Sequence, residues 1–120
     1  MDSPKVVKNK AFAKRIRRMY DYLVARFGHC HMFNQVYRSG TSIGALIAES
    51  VFAQSRADFF NKMQVSLKAA NETRYWLEQL YEAQYLTKPQ FESMRADCSE
   101  LIAILVSIIK HKDDPPKECL

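Results

Sequence analysis

A chain of 120 residues, 48% of them apolar, has the length of one domain and can bury one real core. Three glycines and four prolines are few, which suits helices better than turn-rich β architecture. The net charge of +5 is uneven: residues 1–30 carry eight basic and two acidic side chains, and the remainder carries ten basic and eleven acidic ones.

Cys30, Cys98 and Cys119 are odd in number, widely spaced and without a C-x-x-C pair. They read as free thiols of a reducing cytoplasm. The first thirty residues are basic and amphipathic, with no apolar stretch of the signal-peptide kind. The longest apolar run, Leu101 to Ile109, is interrupted by Ser107 and falls well short of the ~20 residues a membrane span needs. These features predict a soluble, cytoplasmic protein that does not associate with membranes.

Ser3 before Pro4 is a helix start, a hydroxyl cap followed by a residue whose missing N–H costs nothing in the first turn. Phe12, Ile16, Met19, Leu23 and Phe27 then recur every three or four residues, one apolar stripe. Lys10, Lys14, Arg17, Arg18 and Asp21 fall on the opposite side, and Lys8, Arg15 and Arg26 flank the stripe. Gly28 is the natural stop. His29, Cys30 and His31 are metal-ligand types, but adjacent residues rarely converge on one ion, so they predict a connecting turn.

A second helix is expected from about Asn34 to Ala53. Gly40, Gly44 and Ala48 share a face with Val36, Ile43, Ile47 and Val51 beside it. Each helical glycine costs roughly 1 kcal/mol against alanine, so two imply close approach of a neighbouring helix backbone. A further stripe of Arg38, Ser42, Ala45 and Glu49 lies on another side. Ser55, three residues before Asp58, opens a long third helix. Phe59, Met63, Leu67, Ala70, Leu77 and Tyr81 form its main apolar stripe, and Val65, Ala69, Trp76, Leu80 and Ala83 lie on nearly the other side. Two apolar faces need two packing surfaces. The second is most economically another copy of the chain, with Trp76 at its centre, although a broadly buried helix within one chain also satisfies the pattern. Arg74, on the main stripe, is expected to pair with Glu49, Glu78 or another carboxylate.

Thr87-Lys88-Pro89-Gln90 repeats the start grammar for a fourth helix, whose seam is Phe91, Met94, Cys98, Leu101, Leu105 and Ile108. Residues 113–120 read as a flexible tail after a bundle domain of residues 1–112. Four amphipathic helices with short connections predict an all-α, antiparallel up-down-up-down four-helix bundle.

No chemistry of catalysis emerges. There is no phosphate-binding glycine loop, no Glu-x-x-His pair, and no histidine placed to activate Ser42 or Cys98. The expectation is a non-enzymatic protein without metal or cofactor. The basic first helix remains, and clustered lysine and arginine suffice for phosphate contact. Lys10, Lys14, Arg17 and Arg18, supported by Lys8, Arg15 and Arg26, are the candidate nucleic-acid residues, although Asp21 can pair with Arg17 or Arg18. A merely solvated helix face, on a scaffold that gathers a protein partner, is the rival reading.

Arg38-Ser39-Gly40-Thr41-Ser42-Ile43-Gly44-Ala45, followed by Ile47 and Glu49, resembles the bacterial four-helix-bundle family tied to intervening sequences of 23S ribosomal RNA. Ser55, Ala57-Asp58-Phe59, Lys62, Leu67-Lys68-Ala69-Ala70-Asn71-Glu72-Thr73 and Tyr75-Trp76-Leu77 carry the same likeness, which spans roughly Phe12 to Lys110. The resemblance implies an up-and-down bundle and a homo-oligomer, specifically a homopentamer. A more distant similarity is to the accessory protein of diversity-generating retroelements, a basic pentamer that binds nucleic acid and a reverse transcriptase. Three residues depart from the family pattern: Leu46 stands in place of Asn, Ser50 in place of Ala or Gly, and Arg74 in place of Glu.

Overall fold

The computed structural model describes the backbone of residues 4–115 and the side chains of residues 8–115; the Ser3 cap and Cys119 lie outside them. Four helices follow one another: α1 (Pro4–Phe27), α2 (His31–Ser50), α3 (Arg56–Glu82) and α4 (Lys88–Ile109). Each packs on its neighbours in sequence and α1 closes on α4, while among the described residues no Cα atoms of diagonal helices come within 8 Å. The chain is the expected antiparallel bundle, about 55 Å long and 24 by 22 Å across.

Local chemistry places the helix ends. Gly28 takes φ +82°, and its N–H reaches the Val24 carbonyl at 2.8 Å, closing α1. Cys30 is extended, and its carbonyl accepts from the N–H groups of Phe33 and Asn34 at 3.1 and 3.3 Å. α2 therefore starts three residues before the position that apolar spacing suggests, and it stops at Ser50 rather than Ala53. The Ser55 hydroxyl accepts from Asp58 N–H at 3.0 Å. Thr87 and Gln90 form a full capping box, with bonds of 3.3 and 2.8 Å.

The core takes Phe12, Ile16, Met19 and Leu23 from α1, and Phe33, Val36, Ile43 and Ile47 from α2. α4 presents the seam read from its sequence, with Phe91, Met94, Cys98, Leu101 and Leu105 buried and Ile108 partly so. Phe27, the last residue of the α1 stripe, is instead half-exposed at the end of the bundle, edge-on to Tyr85. Gly40 and Gly44 do mark a close approach, but to side chains. A Cβ at Gly40 would stand 2.9 Å from Ile16, and one at Gly44 2.9 Å from the Asn9 amide. Asn9 is buried in that hollow with its Oδ1 unbonded. Ala48, on the same nominal face, is exposed.

α3 corrects the two-faced reading. Its buried residues include Ser66 and Thr73, which lie between the two apolar stripes, and the face they centre also takes in Ala69 and Leu80. The Ser66 hydroxyl donates to the Ile43 carbonyl at 3.3 Å, and Thr73 Oγ1 donates to Ser39 Oγ at 2.9 Å. Small hydroxyls satisfied in this way let α2 and α3 pack closely, so the two stripes are flanks of one broad buried face. Ala69 and Leu80 are consequently buried within their own chain. Val65 and Ala83 are exposed, and Trp76 is half-buried against the core.

Beyond α4 the chain turns back. One Arg56 nitrogen donates to the carbonyls of His111, Lys112 and Asp114 at 3.2, 3.3 and 2.8 Å. Of the segment assigned by sequence to a frayed tail, Asp114 is the residue these bonds reach; residues 116–120 lie outside the described part.

Candidate nucleic-acid interface

The seven candidate cations of α1, Lys5 aside, fall into distinct environments. Lys8 Nζ lies 2.8 Å from Glu100, and this hydrogen-bonded ion pair raises the lysine pKa above its ordinary value. Arg15 Nη1 lies 2.6 Å from Asp97 Oδ2, and its other nitrogen donates to the Ser93 hydroxyl at 2.8 Å. Both face α4 and hold the two helices together. They are structural cations first. Arg26 rests its guanidinium 5.4 Å from the Phe27 ring centre.

Lys10, Lys14, Arg17 and Arg18 are exposed on the outward side of α1. Among the described residues no ion pair joins Lys14, Arg17 or Arg18 to a carboxylate, and Asp21 pairs with neither arginine. The sequence sets Lys8, Arg15 and Arg26 beside the apolar stripe as support for the outward cations, without showing that two of them have carboxylate partners. Asp97 and Glu100, spaced one helical turn apart on α4, were the signal that two of them would be neutralised.

The remaining reactive groups are occupied structurally. Cys98 is buried, its thiol lies 3.3 Å from the Ala70 carbonyl, and burial pushes its pKa up to about 12. The Ser42 hydroxyl donates to the Arg38 carbonyl at 2.6 Å. No group of His, Cys, Asp and Glu suited to a metal occurs among the described residues. Among the described residues Arg74 forms no salt bridge; it donates to Asn71 Oδ1 at 3.1 Å, while Glu49, one of its expected partners, lies 3.8 Å from Lys62. Leu46, at one of the departures from the family pattern, is half-buried. No helix of the described residues is long and apolar enough to cross a membrane.

Sequence reasoning missed the aromatic side chains that gather beside these cations. Tyr22, Tyr81 and Tyr85 line an open cavity of about 530 Å³ with Arg26 and Phe27. Tyr81 also stacks flat on Phe91, with ring centres 4.6 Å apart.

A family profile described as 23S rRNA-intervening sequence protein matches residues 5–107. A solved crystal structure, described as a protein with unknown function from the S23 ribosomal protein family from Bacteroides thetaiotaomicron, is 49% identical and superposes with a TM-score of 0.86. The match covers 88% of this chain and 98% of that one. No curated protein matches the chain.

Proposed function

Since the chain belongs to the 23S rRNA-intervening sequence protein family, we propose that it is a non-enzymatic, oligomeric bundle that binds RNA or DNA without sequence preference. The observation that carries this reading is the outward face of α1, where Lys14, Arg17 and Arg18 are exposed and have no carboxylate partner among the described residues. Such a face gains binding energy by releasing counterions from phosphates, and it carries no means of reading base edges. Lys8 and Arg15 contribute less than their number suggests, because Glu100 and Asp97 already neutralise them. A ring of several chains, five by the resemblance, repeats the patch and raises avidity without improving any single site.

The test is binding to a structured RNA across a salt series. Each phosphate neutralised lowers log K against log salt by roughly 0.7 to 0.9, and Lys14→Glu with Arg17→Glu should flatten that slope and weaken binding. Affinity indifferent to ionic strength, or unchanged in the double variant, removes α1 from the account.

A second reading is a protein-interaction scaffold. It is favoured by the tip between α2 and α3, where Val51 and Phe52 stand 66% and 85% exposed. Capture of a specific protein from nuclease-treated lysate, lost in Phe52→Ser and without co-purifying nucleic acid, supports it.

A further inference from the structure

The seam between α1 and α4 is closed at one end and open at the other. It is closed where Lys8 meets Glu100 and Arg15 meets Asp97, at 2.8 and 2.6 Å. Towards the start of α4 the residues facing α1 are Met94 and Gln90, neither charged. Here α1 presents Arg18, Tyr22 and Arg26, and the seam widens into two adjoining cavities of about 530 and 310 Å³ that share Tyr22, Leu86 and Gln90. Volumes of this size suit a planar heterocycle; ligand sites in general run from about 300 to 1,000 Å³.

The lining is aromatic and cationic together. Tyr22 is 43% exposed and borders both cavities, and Tyr81, already stacked on Phe91, borders the larger. Among the lining carboxylates there is only Glu82, against Arg18 and Arg26, which have no ion pair among the described residues. Exposed tyrosine faces flanked by unpaired arginines suit unstacked bases joined by phosphates. Paired bases in a duplex are stacked on one another and cannot enter a cleft between two helices.

We infer that the open half of the α1–α4 seam holds unpaired bases of a single-stranded nucleic acid, with Tyr22 as the stacking platform and Arg18 and Arg26 on the flanking phosphates. This inference rests on the nucleic-acid reading above and adds the strandedness of the ligand. A duplex would engage the outward cations, Lys14 and Arg17 among them, without entering the seam.

The experiment compares fluorescence-anisotropy titrations of an unstructured oligouridine and a duplex of equal length. Tyr22→Ala should weaken oligouridine binding on the order of ten-fold and leave the duplex unaffected, since stacking on one aromatic ring contributes about that much. Tyr22→Phe, which keeps the ring, should bind as the natural protein does. Arg26→Gln should weaken oligouridine binding as well, and it gives an independent reading if Tyr22→Ala proves unstable by circular dichroism. Oligouridine affinity unchanged in both Tyr22→Ala and Arg26→Gln overturns the groove while leaving salt-dependent binding through Lys14 and Arg17 intact. Failure of both probes to bind the natural protein overturns the nucleic-acid reading and the groove with it.

Discussion

Gly40 and Gly44 both admit α1, but they admit different atoms. A methyl at Gly40 meets Ile16 at its Cγ1 and Cδ1 atoms, both 2.9 Å away, in a side chain with no exposure at all. At Gly44 it meets the end of the Asn9 amide, which can swing aside and whose Oδ1 has no hydrogen bond to lose. Alanine gains roughly 1 kcal/mol of helix propensity at either site. Overpacking a rigid neighbour costs about 1 to 3 kcal/mol. Gly40→Ala should therefore lower unfolding free energy in urea, and Gly44→Ala should raise it by up to about 1 kcal/mol. Cys98 gives a second residue-level test. Its folded-state pKa of about 12 lies above the ordinary 9.0, so the unfolded chain loses that proton first. The stabilisation is complete below pH 9 and is lost as pH rises towards 12. Lys8, also raised, loses its contribution as pH climbs above its ordinary 10.5. Stability should be flat from neutral pH to about 9 and fall beyond it, and Cys98→Val should remove the part of the fall that begins near 9. At neutral pH the half-buried Cys30 should alkylate while Cys98 does not, as mass spectrometry of the peptides that contain each will show.

At the scale of elements, α3 governs the packing. Its buried face is centred on Ser66 and Thr73, which bond to the Ile43 carbonyl and to Ser39 on α2. A larger side chain there would push the helices apart, so Ser66→Leu should destabilise by about 1 to 3 kcal/mol although it adds apolar surface. Thr73→Val keeps the shape and removes the hydroxyl that Ser39 Oγ accepts from, for a loss on the order of 1 kcal/mol. Both are read from urea midpoints. The α1–α4 seam is thinner and leans on two exposed ion pairs, which contribute little each. The element that carries the cations is therefore also the one held most loosely along one edge.

For the whole molecule, the positive charge is divided between holding the bundle and facing outward. On the oligomeric reading, sedimentation should give a mass several times that of the 13.9 kDa chain. Val65→Glu with Ala83→Glu, at two exposed positions of α3, should reduce the particle to single folded chains with helix content intact. Leu80→Glu should instead unfold the chain, because that side chain is wholly inside its own bundle. A natural protein that sediments as a single chain would remove the ring.

What could be read from the residues was periodic or local. The spacing of Phe12, Ile16, Met19 and Leu23 and of the Phe91 to Leu105 seam identified two helices and their buried sides, because a helical stripe is a property of one segment alone. The caps at Ser55 and Thr87 were legible for the same reason. Pairing across the bundle was not. Whether Arg15 is a free cation or the partner of Asp97, 82 positions away, depends on which helix lies beside α1. Whether Ser66 and Thr73 divide two faces or centre one depends on hydrogen bonds that only the packed α2 supplies. The sequence by itself determined four helices and an excess of charge on the first. Tertiary structure decided which charges are cancelled, which apolar residues are covered, and where an aromatic groove opens, since each of those depends on distances between segments far apart in the chain.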